Sequence, residues 1–211
     1  MKRHPIAAAM LLAAGLGLCG CITLFPKATP VQLYRFGSET PKVSQAGAPF
    51  NLQRSATVFD RAAQSDAILT TSGTETAYVA GARWVAPAVV LFDEAVDRAF
   101  DASGGPAHVV PRGEMGSSGA GLKLDVQAFE ARYPGTKDAT PVILVRVDAL
   151  LVRLSDRRTI SQRTFEAQKP ADANRVGAMV AAFDAATSDV VGQIVSWAGT
   201  EGEVVATPAA R

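Results

Sequence analysis

Histidine and cysteine, the side chains that most readily move protons near neutral pH or hold transition metals, are sparse in this 211-residue chain, whose two histidines are His4 and His108 and whose two cysteines are Cys19 and Cys21. Nucleophile-and-base catalysis needs a positioned proton acceptor. Past residue 21 the one histidine that could serve is His108, between the turn Gly104-Gly105-Pro106 and the apolar pair Val109-Val110, where a structural or solvent-facing ring is expected. Zinc needs three or four convergent nitrogen or sulfur ligands, so no metal site is expected. The stretch Gly113 to Gly121 invites a phosphate-loop reading, yet Leu122 follows Gly121 where Walker A needs Lys. A nucleophile elbow fails as well, because Gly116 would require a glycine where Ala120 stands. The segment is expected to be a flexible connection, and the chain is expected to be no enzyme and to carry no cofactor.

Contact offers more than reaction. Arg83-Trp84 combines two residue types enriched where partners meet, with a local alternative in which Trp84 wedges beneath a following helix and Arg83 pairs nearby. Arg153, Arg157, Arg158 and Arg163 gather around an expected hairpin, as a patch for anionic headgroups or as its wet end. Lys plus Arg is 21 against 20 for Asp plus Glu, and a net charge of +1 gives no field to hold a polyanion, so nucleic acid is not an expected partner.

The start of the chain is the most informative stretch. Lys2, Arg3 and His4 precede the apolar run Ile6 to Leu18, which is a signal-peptide pattern and too short for the ~20 residues that cross a bilayer. The run ends in Leu18-Cys19-Gly20-Cys21, which resembles the bacterial lipobox, with Cys21 as the lipidated residue and Cys19 in a place where Ala or Ser is commoner. Residues 1–20 are then a leader, and Cys21 carries several acyl chains, palmitate among them, which together anchor stably where one chain would not. Ile22 in place of Asp after the cysteine favours the outer membrane.

The elements that position these residues follow from hydrophobic period. Residues 21–30, with Pro26 and Pro30, read as a tether, and the folded domain is expected over 31–197. Strands are expected at Gln32 to Phe36, Leu52 to Val58, Ala67 to Thr71, Thr74 to Val79 and Ala107 to Val110, with a loop from Gly37 to Pro49. Leu122, Leu124 and Val126 alternate with polar residues, as do Val145, Val147 and Ala149, giving two more strands, and Thr159 to Ala167 returns past a turn at Asp156-Arg157-Arg158. Pro87 opens a helix whose apolar stripe is Phe92, Val96 and Phe100, with Asp93 and Glu94 on its solvated side. A last helix runs from about Arg175 to Trp197, and 198–211 reads as a flexible tail. The order gives an α+β or mixed α/β domain, a mixed, largely antiparallel sheet with two main helices packed on it.

With these segments in place, the chain resembles the ABC-type transport auxiliary lipoproteins, the family that includes the paraquat-inducible protein C lipoproteins. The likeness is carried by Cys21, Leu33-Tyr34, Ile68-Leu69-Thr70, Glu75-Thr76-Ala77-Tyr78, Gly81-Ala82-Arg83-Trp84-Val85-Ala86-Pro87 and Ile194-Val195-Ser196-Trp197. Its most specific part is Tyr-x-x-Gly-Ala-Arg-Trp, which adds Tyr78 to Arg83 and Trp84 as candidate partner contacts. Departures are the Gly/Ser-rich loop Gly113 to Gly121 and Tyr34-Arg35-Phe36, which lacks the Leu-Thr-Pro that often follows the tyrosine. The resemblance implies a periplasm-facing outer-membrane lipoprotein, and a homo-oligomer is one state open to it. It would work with a mammalian-cell-entry (MCE) domain protein, an inner-membrane permease and an ATPase in lipid transport, as a docking or channel-completing part. The alternatives are an autonomous lipid-binding carrier, which needs a closed apolar cavity, and a lipoprotein hydrolase, which needs a convergent acid, base and nucleophile.

Overall fold

The computed structural model describes residues 30–43, 45–110, 119–136 and 138–206, with side chains up to residue 202. The leader, Cys19, Cys21, the tether up to Thr29 and residues 111–118 of the Gly/Ser-rich loop lie outside the described residues. The chain divides into two compact units, Met1–Pro30 and Val31–Arg211, and all elements named below belong to the second.

Their order is β1 (Gln32–Tyr34), β2 (Phe50–Arg54), β3 (Val58–Phe59), β4 (Ala67–Ser72), β5 (Glu75–Trp84), α1 (Ala88–Ser103), β6 (Ala107–Val110), β7 (Ala120–Tyr133), β8 (Val142–Arg153), β9 (Thr159–Pro170) and α2 (Val176–Ala206). Long antiparallel ladders join β7 to β8 and β8 to β9. Along its other edge β7 takes β2, β3 and β4 in turn, each in a short parallel pairing. β6 flanks β2 in parallel, β5 returns antiparallel to β4, and β1 pairs in parallel with the end of β5. The fold is therefore α+β, a mixed sheet of nine strands among the described residues carrying two helices.

Both helices cover one face. Phe129 of β7 meets Phe183 of α2 at 4.8 Å between centroids and Phe59 of β3 at 5.5 Å, while Phe59 meets Phe92 of α1 at 5.9 Å. Each such ring pair contributes about 0.5–1.5 kcal/mol beyond area burial. α2 has the length and mean hydropathy of a membrane span, but Phe183, Val190, Ile194 and Trp197 are buried against the sheet, which makes it a core helix.

Five expectations change, the first being that the strand read over Thr74 to Val79 runs on to Trp84 as β5. The strand read over Leu52 to Val58 is two, because the chain leaves the ladder after Arg54 and rejoins β7 only at Val58. β7 is far longer than the stretch Leu122 to Gln127, since a register shift between Val126 and Ala128 breaks the period and moves the buried set to Phe129 and Ala131. α2 does not stop at Trp197, and the residues read as a tail are helical up to Ala206. That extension packs so closely that a Cβ on Gly202 would lie 2.3 Å from Cζ of Phe50, so only glycine lets the helix close over the ring. Finally, the loop from Gly37 to Pro49 is partly a strap across α2. The N–H groups of Gly37 and Ser38 donate to Asp184 Oδ1 at 2.6 and 2.9 Å, and Gln45 Nε2 donates to the Ser196 carbonyl at 2.7 Å.

Candidate functional site

The candidate contact residues lie where β5 runs into the loop before α1. Arg83 pairs with Ala67 of β4 and Tyr78 with Leu69, so a long stretch of β5 spans only two steps of its neighbour and bulges outward. Gly81 makes the bulge possible with φ of 68°, a conformation costly for any residue bearing a Cβ. The bulge draws Tyr78 and Arg83 together along β4.

Trp84 points the other way. It is 2% exposed, and its ring packs edge-on against Phe36 at 4.9 Å and Phe183 at 5.3 Å. Trp84 is thus a core residue under the entry to α1, which corrects its reading as a partner contact; a bulky ring four positions before the apolar helix start at Ala88 gains more from burial than from a surface role. Arg83 and Tyr78 stay outside. Arg83 Nη1 holds Asp66 Oδ1 at 2.8 Å with both side chains about half exposed, and the Tyr78 hydroxyl donates to the Ala62 carbonyl at 3.1 Å. Leu33 of β1 sits opposite Arg83, and Val31, Leu33, Val85 and Tyr78 are all large exposed apolar side chains. Alternation along the strands puts Tyr34 and Trp84 on the helix side and Leu33, Arg83 and Val85 on the open side.

One cluster is absent from the sequence reading. Arg54 is 5% exposed, and its guanidinium grips Asp97 bidentately through Nε at 2.8 Å and Nη2 at 3.0 Å. Its Nη1 reaches Asp93 Oδ1 at 2.5 Å and Thr57 Oγ1 at 3.2 Å. Burial alone would lower the Arg54 pKa, but hydrogen bonds to Asp97 and Asp93 outweigh it and the net shift is upward. Asp93 is therefore part of an ion-paired joint between α1 and the end of β2, not a solvated helix face; Glu94 does face solvent, where it meets Arg35 at 2.9 Å. The signal was available, since Phe50, Leu52 and Arg54 share one face of a strand and an arginine on an apolar face needs acidic partners.

The remaining candidates have ordinary places. His108 is exposed on β6. Arg153 and Arg158 gather on Asp156 at the β8–β9 turn, where the backbone N–H of Arg158 is the first cause of a lowered Asp156 pKa, and Arg163 stacks over Phe165 at 5.2 Å. On the open face Glu166 accepts from Gln168 and from Arg146, which together depress its pKa. An open groove of about 890 Å³ runs between the strap at 39–43 and α2, lined by Arg163, Asp189 and Trp197. Among the described residues no group of three or more His, Cys, Asp or Glu is placed to hold a metal.

Fold and site define a class, an α+β domain with helices on one face of a mixed sheet and an exposed apolar margin beside its first strand. More narrowly, the chain belongs to the family of ABC-type transport auxiliary lipoprotein components, whose model matches residues 37–195. It is similar to protein XCC0632 from Xanthomonas campestris, a crystal structure 27% identical to it, at a TM-score of 0.71 over 82% of this chain and 98% of that one. A crystal structure of an uncharacterized protein, 13% identical at a TM-score of 0.59 over 73% of this chain and 97% of that one, shares the fold. No curated protein matches the chain.

Proposed function

We propose that this protein is an outer-membrane-anchored, periplasm-facing auxiliary lipoprotein of an MCE/ABC-type lipid transport system. It acts by docking on, or completing the channel of, an MCE-domain protein, through which it meets an inner-membrane permease and an ATPase. The observation that carries the reading is the family match over residues 37–195, which makes the chain an auxiliary component of ABC-type transport. The lipobox at Cys21 supplies the anchor, and Tyr78 and Arg83, drawn together by the β5 bulge, contribute to the partner contact. The work is geometric rather than catalytic: acyl chains fix one end, residues 21–30 set the reach, and the domain presents a face.

The test is affinity capture of the native protein after gentle extraction of whole envelopes. An MCE-domain protein should co-purify, should be lost when Cys21→Ala prevents anchoring, and should be weakened by Tyr78→Ala with Arg83→Ala. Recovery of the protein without any transport component would overturn the proposal.

A further inference from the structure

We infer that the apolar margin formed by Val31, Leu33 and Val85 rests on the lipid surface to which the chain is anchored, an inference that depends on acylation at Cys21. The three side chains are 47%, 53% and 47% exposed, although single exposed aliphatics need no explanation. These are not scattered. Val31 precedes β1 and shares the parity of Leu33 within it, and Val85 N–H donates to the Tyr34 carbonyl at 2.7 Å at the far end of the strand, so the three follow one another along one open face.

The charges that flank the margin are paired, Arg35 with Glu94 and Arg83 with Asp66. Arg83, opposite Leu33, is already paired with Asp66, which leaves its aliphatic stem beside the patch. Tyr78 supplies an aromatic ring with a polar tip, a residue type that favours the headgroup level.

The choice of a lipid surface as occupant comes from where the chain leads. β1 is the first strand, and the stretch from Cys21 to Pro30 spans at most about 30 Å even when fully extended. A small apolar patch alone binds a bilayer weakly, since interfacial affinity scales with buried apolar area. A covalent anchor ten positions before Val31 raises the effective concentration of lipid at the patch, so a weak contact becomes occupied. The β1–β5 margin then faces the membrane, Tyr78 and Arg83 stand at its rim where an envelope-spanning partner arrives, and β9, at the opposite edge of the sheet, points into the periplasm.

The test uses the full chain, processed and acylated, with one new cysteine at a time: Leu33→Cys, Val85→Cys, or Gln193→Cys on the exposed side of α2. Maturation would remove Cys19 and turn the Cys21 sulfur into a thioether, so the new thiol alone reacts with bimane. In vesicles of phosphatidylethanolamine and phosphatidylglycerol, bimane at 33 and 85 should be blue-shifted and quenched by lipid carrying a nitroxide near the headgroup, with loss of both effects at 193. Intact-mass measurement reports the acyl chains in the same samples. Acylated protein with equal quenching at all three positions overturns the inference and leaves the anchoring reading standing. Crosslinking from 33 and 85 in whole envelopes that captures a protein instead of lipid also overturns it. Absence of acyl mass overturns both together.

Discussion

Replacing Arg54 by Met tests how α1 is held. The side chain is buried and serves Asp93, Asp97 and Thr57 at once, so Arg54→Met removes the cation and keeps the volume. Breaking a fully buried pair costs about 3–5 kcal/mol. Here the acidic partners are only partly dry, Asp93 being 20% and Asp97 50% exposed, so water recovers part of the loss and about 2–4 kcal/mol is expected. At roughly 2–4 °C per kcal/mol for a domain of this size, the melting midpoint should fall by roughly 4–16 °C. Asp97→Asn should cost only about 1 kcal/mol, as one half-exposed carboxylate is neutralised. Urea titration followed by far-UV circular dichroism gives both values, and a double-mutant cycle between Arg54 and Asp93 should show coupling above about 1 kcal/mol. A change of under about 1 kcal/mol for Arg54→Met would refute the joint, because an exposed surface ion pair is worth about 0–1 kcal/mol.

Trp84→Ala should destabilise by about 3–5 kcal/mol in the same assay, whereas Tyr78→Ala and Arg83→Ala should stay within about 1 kcal/mol while weakening partner capture. Ending the chain after Trp197 should lower stability by about 2 kcal/mol, because it uncovers Phe50 beneath Gly202, and ending it after Ala206 should not; comparison of the two midpoints decides. Glu166 has a folded pKa below its ordinary 4.5, so the stability it supplies is present above that value and is lost as pH falls through the folded one. Glu166→Gln should flatten the acid limb of a stability-against-pH curve and leave the neutral limb's slope unchanged.

How much of this was legible depended on whether period and partner coincide. α1 announced itself through Phe92, Val96 and Phe100, and β8 through Val145, Val147 and Ala149, because each buries one regular face. β7 hid half its length because the register shift near Gln127 moves the apolar set from one parity to the other. The end of α2 hid behind Gly199 and Gly202, which read as helix breakers yet are the residues on which Gln45 and Phe50 lie. At the candidate site Arg83 was found by type and Tyr78 through the family motif, but their closeness was invisible, since it comes from a bulge that sequence spacing does not report.

That bulge also explains how a short segment can hold two unlike duties. In a regular strand Arg83 and Trp84 would face opposite sides, as they do here, while Tyr78, five positions before Arg83, would fall on the side of Trp84. The extra residues around Gly81 reverse that parity, so Tyr78 and Arg83 share the open face and Trp84 alone turns inward to brace Phe36, Phe183 and the start of α1. Fold and the proposed contact thereby fall to neighbouring residues on opposite sides of one sheet. On that proposal, substitutions at 78 and 83 should alter docking without touching the core, and deletion within the bulge should couple the two, pushing Tyr78 toward the helices or Trp84 toward solvent.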